Sequence, residues 1–296
     1  VMCLKKLLLL VNPLAGRTTV GGSLLDMIDV FIKATYDVTV RVTQDGGDVE
    51  RTITADGRLY DAIVCCGGDG TLSLAAGALL SADAHALLGY IPCGTVNDFA
   101  TTRGIPKTPV DAARVIAQGH TEKIDLGYFG TRPFVYVSAF GLFTEASYQT
   151  PRTLKNSLGR LAYLLEGAKS LAHVKSYHIR FTTDTQTIED DFLYGMMTNS
   201  RTVGGFELPI NGDACLDDGL MEVTLIKMPK NAAERQSLIN ILITQKADEK
   251  HVYHFQTNRI RCECTEPLAW TVDGEFGGAA TDIELRLLHA ALRMYC

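Results

Sequence analysis

The first part of the chain alternates short apolar runs with segments whose apolar residues recur at helical spacing. Apolar runs of strand length occur at Lys6–Val11, Asp37–Val42, Ala62–Cys66 and Leu87–Ile91. Helical periodicity occurs between and after them at Gly22–Thr35, Gly47–Gly57, Thr71–Ser81 and Pro109–Gln118. Strands that alternate with helices are typical of a parallel sheet with helices on both faces. The pattern therefore predicts an α/β domain with a mostly parallel sheet.

From about Gly127 the pattern changes to an alternation of β-branched and aromatic residues with polar ones. Runs of this kind are Phe134–Val137, Tyr177–Thr182, Phe192–Thr198, Met221–Ile226, Arg259–Glu263, Trp270–Val272 and Asp282–Leu287. Helical patterns interrupt them at Thr153–Ala172 and Asn231–Ala247. Alternation with period two indicates strands that are buried on one face. We expect an antiparallel, β-rich second domain, with the linker between Lys123 and Arg132.

A glycine-rich turn connects the third predicted strand to the helix after it. Residues 67–71 read Gly-Gly-Asp-Gly-Thr. Glycines let a backbone approach a ligand closely, and the N–H groups of a helix start favour phosphate. Asp69 would repel a phosphate unless a cation such as Mg²⁺ lay between them. The turn thus indicates a nucleotide phosphate with a divalent metal, although Gly-Asp-Gly is also ordinary turn and capping chemistry.

Two further turns follow predicted strands at the edge of the sheet where ligands bind. After the first strand comes Asn12–Arg17, whose final arginine can reach a phosphate. After the fourth comes Gly94–Asp98, which offers amide and carboxylate groups. Asp69, Asp98 and Asp125 can then converge on one Mg²⁺. A plain turn and a helix cap remain alternative interpretations of the two segments.

Two Asp-Gly turns in the second half carry further acidic residues. They are Asp218-Gly219 and Asp273-Gly274-Glu275. Both are explained most simply as tight turns between strands. The functional alternatives are a cation bound by Asp218 with nearby carbonyl oxygens, and a general base at Glu275 that acts on a substrate hydroxyl.

Charge and cysteine usage narrow the class of protein. The 296 residues are 46% hydrophobic and carry a net charge of −6. A general nucleic-acid binder needs a basic face, so no nucleic-acid partner is expected. The eight cysteines include no Cys-x-x-Cys pair, and we interpret them as reduced and mostly buried, as in a cytoplasmic protein. The short apolar start, Leu7–Val11, predicts a buried strand rather than a signal peptide.

One segment departs from the acidic balance of the chain. Between Pro151 and Arg180 there are six basic residues against one acidic residue, a balance of +5 with histidine neutral. Its helical part has amphipathic spacing, and a basic amphipathic helix can rest on an anionic membrane surface. A helix packed on its own sheet with a solvated basic face is the simpler interpretation. Membrane contact gains weight only if the substrate is a lipid.

Taken in order along the chain, four of these turns resemble the diacylglycerol kinase catalytic family, especially its soluble bacterial lipid kinases. They are Asn12-Pro13-x-x-Gly16, Gly67-Gly68-Asp69-Gly70-Thr71, Gly94-Thr95-x-Asn97-Asp98-Phe99 and Asp273-Gly274-Glu275. The resemblance covers nearly the whole chain. It implies an ATP-binding α/β domain, like those of NAD kinases and phosphofructokinases, over residues 1–128 with 288–296 returning to it. Residues 129–287 would form a β-sandwich-like domain for the lipid substrate.

The resemblance also implies roles for individual residues. The ATP site would comprise Asn12, Pro13, Leu14, Ala15, Gly16, Thr43, Gly67, Gly68, Asp69, Gly70, Thr71, Leu72, Ser73, Thr95 and Asn97. Asp69, Asp98 and Asp125 would organise the catalytic Mg²⁺, and Glu275 would be the general base. A structural Mg²⁺ would fall at Asp218 with the carbonyls of Cys215 and Leu220.

Three positions depart from the family's pattern. The family often continues its Gly-Gly-Asp-Gly-Thr with x-Asn-Glu, whereas Ser73 and Leu74 stand in those places here. Arg17 replaces a commoner lysine, which keeps the charge but changes its geometry. The missing acidic or amide contact would alter ATP affinity or mark a chain with reduced activity.

The resulting hypothesis is an ATP- and Mg²⁺-dependent kinase that phosphorylates a hydroxyl of diacylglycerol or a related lipid at a membrane surface. One alternative is an NAD-kinase-like or other small-molecule kinase, since the Gly-Gly-Asp-Gly turn is shared. Another is a non-catalytic nucleotide- or lipid-binding homologue, because Ser73 and Leu74 depart from the pattern. The lipid and the oligomeric state stay open, with a homodimer among the assemblies considered.

Overall fold

The structure is a computed structural model that describes residues 4–15, 19–141, 175–203, 206–207, 217–244 and 250–296. Its first half contains β1 (Lys5–Val11), α1 (Thr19–Lys33), β2 (Tyr36–Val42), α2 (Asp48–Asp56), a 3₁₀ turn (Gly57–Leu59), β3 (Ala62–Gly67), α3 (Asp69–Ser81), β4 (Leu87–Pro92), α4 (Asp98–Arg103) and α5 (Pro109–Gln118). Four expectations lie outside the described residues, namely those for Gly16, Arg17, Cys215 and the helix Thr153–Ala172.

The first four strands pair in parallel. β1 lies between β2 and β3, and β4 follows β3. Residues Leu7–Leu10 are at most 1% exposed, and Ile63–Cys66 are fully buried. Burial on both faces explains why these strands read as continuous apolar runs. Parallel pairing also brings the carboxyl ends of β1, β3 and β4 to one edge of the sheet, where the three turns begin.

The second half continues the same sheet with antiparallel strands. They are β5 (Thr121–Phe129), β6 (Arg132–Phe134), β7 (Val137–Gly141), β8 (Tyr177–Thr182), β9 (Thr187–Thr198), β12 (Met221–Lys227), β13 (Val252–Thr257), β14 (Arg259–Val272) and β15 (Glu275–Tyr295). The main path runs β13-β12-β9-β7-β14-β15-β4-β3-β1-β2. A separate short pair is formed by β10 (Thr202–Val203) and β11 (Phe206–Glu207), and α6 (Ala232–Thr244) follows β12.

β15 connects the two halves of the sheet. It has 21 residues and pairs in antiparallel fashion with β14 and β5. Near its end, Met294 pairs in parallel with Leu88 of β4. The strand that begins at Glu275 therefore ends inside the first half of the fold.

The apolar side chains of the described residues form two clusters. One surrounds the parallel strands and includes Leu292, Met294 and Tyr295 from the end of β15. The other lies in the antiparallel half, where the rings of Phe140 and Trp270 meet at 4.9 Å between centroids. The proposed division at residues 128 and 288 stays a prediction. No described helix has the length and apolar character required to cross a bilayer.

The linker between Lys123 and Arg132 stays a prediction, and the structure shows that these residues are not an irregular connection. Residues 123–132 comprise most of β5, the turn after it and Arg132, the first residue of β6. β5 pairs with β15 and with β6. Asp125 and Gly127 interrupt the apolar pattern of this strand, yet both are buried. β13 was also missed, and the runs Arg259–Glu263 and Trp270–Val272 belong to one strand, β14, with shifted register between them.

Candidate active site

The turns after β3 and β4 meet through their backbones. The N–H of Cys93 donates to the carbonyl oxygen of Gly67 at 2.7 Å, which holds the ends of the two strands together. A Cβ added at Gly94 would lie only 2.7 Å from the Cα of Gly68. No side chain fits at that distance, so glycine is required at position 94 for this approach. The two turns form one continuous backbone surface.

The turn after β1 is tied to the same surface. The Asn12 side-chain amide donates to the hydroxyl of Thr71 at 3.2 Å, and the backbone N–H of Asn12 donates to the carbonyl of Cys66 at 2.9 Å. Pro13 and Leu14 are exposed beside it, and Ala15 is half-buried. Thr43 is buried after β2, where its N–H donates to the Val11 carbonyl at 2.9 Å.

The remaining ATP-site candidates differ in how they face this surface. Leu72 is fully buried in the first apolar cluster, so only its backbone, bonded to the Gly68 carbonyl at 3.1 Å, belongs to the turn. Thr95 is exposed. Asn97 has a left-handed backbone with φ of 58°, and its side-chain oxygen accepts the Gly94 N–H at 2.9 Å. Asn97 therefore shapes the turn whose glycine touches Gly68.

Asp69 begins α3 at the centre of this surface and is 7% exposed. One carboxylate oxygen accepts the backbone N–H of Asp98 at 3.1 Å, and the other lies 3.4 Å from the Tyr90 hydroxyl. Burial, followed by the negative charges of Asp273 and Asp98, raises the pKa of Asp69 to about 7. Because Asp98 is itself fully buried, this pair of acids favours a nearby positive charge.

Asp273 is held by a dense set of hydrogen bonds. Its two carboxylate oxygens accept the backbone N–H groups of Val135, Tyr136 and Val137 at 2.9 to 3.1 Å. The hydroxyl of Ser73 also contacts it, and the same hydroxyl lies 2.9 Å from the Asp69 carbonyl. Burial nevertheless raises the pKa of Asp273 to about 6.

The single hydroxyl hydrogen of Ser73 can serve only one of these two acceptors. When Asp273 is protonated, its carboxyl group can donate a hydrogen bond to the Ser73 hydroxyl. That hydroxyl can then donate its own hydrogen bond to the Asp69 carbonyl oxygen. Every group in the cluster is then satisfied. The serine that departs from the family's pattern thus links the helix after the glycine turn to the Asp-Gly hairpin of the other half.

Glu275 reaches the glycine turn from that hairpin. Asp273 and Gly274 have φ of 49° and 79°, and Val272 pairs with Glu275 across them. Two successive positive φ values define the type I′ hairpin that Asp-Gly favours. A Cβ at Gly70 would lie 3.2 Å from a carboxylate oxygen of Glu275. The carboxylate donated by β15 therefore lies beside the turn after β3.

Arg132 also belongs to this corner of the site. Its guanidinium lies 3.6 Å from the Glu275 carboxylate and donates to the carbonyl oxygen of Phe276 at 2.7 Å. The Glu275 side chain is 65% exposed. Arg132 thus holds both the backbone and the side chain at the start of β15, while the carboxylate remains open to a substrate.

Asp125 lies at a different place from Asp69. Its carboxylate accepts the backbone N–H of Gly219 at 2.7 Å and that of Ala290 at 2.6 Å, with His289 at 3.2 Å. It is 1% exposed. Asp125, a residue of β5, therefore binds the turn at Gly219 and the part of β15, around Ala290, where the pairing of β15 with β5 is interrupted. The structure brings Asp69 and Asp98 together, and it places Asp125 with the second predicted cation segment.

That second segment is the turn at Asp218. The Asp218 side chain accepts the backbone N–H of Leu220 at 2.9 Å, which is local turn chemistry. Gly219 has φ of 77° and packs against His289. Within the described part of the chain, no group of three or more His, Cys, Asp or Glu side chains is arranged to hold a metal ion.

Sequence reasoning missed two contributors to the site. Asp273 appeared only as a turn residue beside Glu275, and Arg132 only as the end of a linker. Asp273 and Ser73 are 200 residues apart, so no local pattern could pair them. The one available signal was the Asp-Gly dipeptide, which specifies the hairpin but not the amides that its aspartate accepts.

Near neutral pH, the metal-free Asp69→Asn variant is expected to be more stable than the metal-free wild-type protein. The pKa of Asp69 is 3.8 in the unfolded reference and about 7 in the folded protein. At pH values between these two pKa values, Asp69 takes up a proton when the protein folds. The free energy of unfolding therefore falls as the pH rises through this range. Between pH 4 and pH 8, the free energy of unfolding of wild type should fall by on the order of 4 kcal/mol relative to that of Asp69→Asn.

Urea unfolding of the metal-free proteins at several pH values measures this difference. Asparagine keeps the shape and the contacts to Asp98 and Tyr90, so the comparison isolates the charge. Parallel stability curves for the two proteins would contradict the raised pKa.

Comparison with known proteins places the chain in a family. Residues 6–129 match the model of the diacylglycerol kinase catalytic domain, and residues 139–296 match that of the YegS C-terminal NAD kinase beta sandwich-like domain. A Staphylococcus aureus (strain bovine RF122 / ET3-1) protein named diacylglycerol kinase is 32% identical over 279 residues, 93% of this chain and 87% of that protein. A Bacillus subtilis (strain 168) protein of the same name is 29% identical over 277 residues, 93% and 91% of the two chains.

Solved structures agree with this fold. Two crystal structures of Bacillus anthracis str. Sterne proteins assigned as diacylglycerol kinases superpose with TM-scores of 0.83 and 0.77, at 24% and 22% identity. Each match covers 98% of this chain and 96% of the other. The β-sandwich-like second domain is therefore confirmed, as is the resemblance stated from the four motifs. The chain belongs to the diacylglycerol kinase family, a family of kinase enzymes.

Proposed function

We propose that this protein is an ATP- and Mg²⁺-dependent lipid kinase that phosphorylates a hydroxyl group of diacylglycerol or a related lipid. The observation that carries the proposal is the contact between the two halves: the Glu275 carboxylate lies against Gly70 of the glycine turn. A phosphate-binding backbone on one side and an open carboxylate on the other are what transfer of a phosphoryl group to a hydroxyl requires.

ATP would lie on the backbone surface formed by the turns after β1, β3 and β4. Support comes from the close approach of Gly68 and Gly94, two residues without side chains beside the start of α3, where helix N–H groups favour a phosphate. Thr71 and Asn12, already hydrogen-bonded to each other, border this surface. The candidates from Asn12 to Asn97 keep their predicted roles as proposals, including Gly16, whose position is outside the described residues.

Asp69 and Asp98 are the residues that would hold Mg²⁺. Mg²⁺ in nucleotide sites usually binds one or two carboxylates and completes its shell with phosphate oxygens and waters. Two adjoining buried acids, with the pKa of Asp69 raised to about 7, fit such an ion without a third protein ligand. When bound, Mg²⁺ supplies positive charge that offsets the negative charge of the transferring phosphoryl group. Asp125 and the Asp218 segment, with Cys215 and Leu220, remain proposed cation ligands without this support.

The chemistry follows from the position of Glu275. The substrate hydroxyl oxygen attacks the γ-phosphorus of ATP, the bond to the bridging oxygen breaks, and ADP leaves. The hydroxyl proton passes to the Glu275 carboxylate. Arg132, at 3.6 Å from that carboxylate, keeps it turned towards the glycine turn. Asp273 acts as a positioning residue, because it fixes the hairpin that presents Glu275.

The lipid would enter between the two halves of the fold at a membrane surface. The basic segment that suggested membrane contact lies largely outside the described residues. The names of the relatives, each a diacylglycerol kinase, support a lipid acceptor for this chain. Cytoplasmic location, deduced from cysteine usage, stays a prediction alongside peripheral membrane contact.

A kinase assay over a panel of acceptors tests the proposal. Labelled ATP is supplied with diacylglycerol, a sphingoid base, a polyprenol, phosphatidylglycerol or NAD, with the lipids in mixed micelles and the products identified by mass. We expect a phosphorylated lipid as the main product, formed at least about 100-fold more slowly by the Glu275→Gln variant. Phosphorylation of NAD alone would support the small-molecule alternative. Binding of Mg–ATP without any product would support the non-catalytic one.

A further inference from the structure

Two thiols lie together directly behind the phosphate-binding surface. Cys66 is near the end of β3 and Cys93 immediately follows β4, and their sulfur atoms are 3.0 Å apart. Both are free thiols. Cys66 is fully buried and Cys93 is 6% exposed. The pair therefore has one deep thiol and one that lies nearer the surface.

The same two residues precede the two glycine turns. Cys66 is followed by Gly67 and Gly68, and Cys93 by Gly94. The added Cβ at Gly94 would meet the Gly68 Cα at 2.7 Å, so the turns already touch. A change in the separation of the sulfur atoms is therefore transmitted to backbone that has no space to absorb it.

We propose that Cys66 and Cys93 form a reversible oxidation site for small hydroperoxides, and that the resulting disulfide displaces the glycine turns and weakens nucleotide binding. The oxidation site is independent of the proposed function, whereas the effect on nucleotide rests on it. Neither thiol belongs to the residues assigned to ATP or Mg²⁺.

The chemistry proceeds in two balanced steps. The Cys93 thiolate attacks one oxygen of the hydroperoxide, the O–O bond breaks, and the departing oxygen leaves as water or an alcohol after taking a proton. Cys93 is now a sulfenic acid. The Cys66 thiol then attacks the Cys93 sulfur, a water molecule leaves, and the disulfide forms. Two thiols are oxidised for each peroxide reduced, and a dithiol reductant reverses the change by exchange.

The geometry favours Cys93 as the thiol that reacts first. It is the more exposed of the two, and the hydrogen bond from Cys66 lowers the pKa of Cys93. The same contact and burial raise the pKa of Cys66. A thiolate is the reactive form of cysteine. Cys66 then lies in place to resolve the oxidised sulfur.

Disulfide formation requires the sulfur atoms to close from 3.0 Å to a bond of about 2.05 Å. A displacement of about 1 Å in groups that position a reacting phosphate costs about 100-fold in rate. We expect the oxidised protein to lose ATP affinity by about tenfold or more and kinase turnover by about 100-fold.

Cys65 is the matched control within the same strand. Successive residues of a strand point to opposite faces, and the Cys65 thiol contacts the carbonyl oxygen of Gly89 at 3.4 Å instead of Cys93. Cys65→Ala should therefore keep the oxidation, whereas Cys66→Ala and Cys93→Ala should each abolish it. All three variants should keep basal ATP binding.

Peptide mapping tests the bond itself. The folded full-length protein is treated with hydrogen peroxide, its remaining thiols are alkylated under denaturing conditions, and it is cut on the amino side of aspartate. Tryptic digestion would leave all three cysteines in one peptide, residues 59–103, whereas this cleavage separates residues 61–68 from residues 83–97. The expected product is a disulfide between these two peptides that a dithiol reductant removes and that persists in Cys65→Ala.

ATP affinity, measured by calorimetry before oxidation, after oxidation and after reduction, tests the consequence. A linked protein with weakened affinity that recovers on reduction supports the proposal. Full alkylation of Cys66 and Cys93 after peroxide, or a bond that requires Cys65, overturns the oxidation site. Unchanged affinity in the linked protein overturns the displacement of the turns. If untreated protein binds no Mg–ATP, the proposed function fails, while the peptide map still decides the oxidation site.

Discussion

Replacing Glu275 with glutamine is expected to lower kcat by about 10² to 10⁴-fold, because a positioned general base contributes about that much to proton transfer. Glutamine has nearly the same size and cannot accept the proton. Its amide still fits beside Gly70, where the carboxylate now lies. The ATP affinity of the variant should therefore stay within about twofold of wild type.

Steady-state kinetics with a lipid acceptor, together with calorimetric titration of Mg–ATP, separate these effects. Glu266→Gln is a suitable control, since Glu266 is an exposed residue of β14 that pairs with Lys175 at 2.8 Å. It should leave kcat unchanged. A Glu275→Gln enzyme with full turnover would remove Glu275 from the proposed chemistry.

Replacing Asp69 with asparagine is expected to weaken Mg–ATP binding by about 30-fold or more, because removing one partner of a buried charge pair costs about 2–5 kcal/mol. The same change should stabilise the apo protein near neutral pH, since the pKa of Asp69 is raised to about 7. Loss of binding together with a gain in stability excludes misfolding as the cause of inactivity.

Calorimetry and urea unfolding of the same preparations measure the two effects. Asp83→Asn provides the control, because Asp83 lies just beyond α3 and its side chain is 80% exposed. It should change neither quantity. Normal Mg–ATP binding by Asp69→Asn would show that this carboxylate is not a metal ligand.

The parallel half of the fold could be predicted from the sequence because its strands are buried on both faces. Runs such as Ala62–Gly67 contain no polar residue and end in turn residues. β5 could not be predicted in this way, because its buried Asp125 is satisfied by Gly219 and Ala290, residues far away in sequence. β13 has only six residues, and between its buried ends they alternate half-buried with exposed, a pattern too short and too polar to stand out.

The candidate site was predictable as a set of turns but not as a set of contacts. The strand order brings the turns after β1, β3 and β4 to one edge, as parallel sheets require. The contact between Ser73 and Asp273 depends on how β14 and β15 pack against α3, which no local pattern encodes. Ser73, a departure from the family's motif, has a structural explanation in this contact.

The long strand β15 has a consequence for recombination between relatives. It begins with the proposed proton acceptor, Glu275, and runs to Tyr295 beside β4 in the parallel half of the fold. In a chimaera that takes its acceptor-binding half from another family member, Glu275 would come with that half. The glycine turns after β3 and β4 would come from the recipient. A crossover point inside β15 would divide the base from the residues that align it with β4, so productive chimaeras should keep this strand whole.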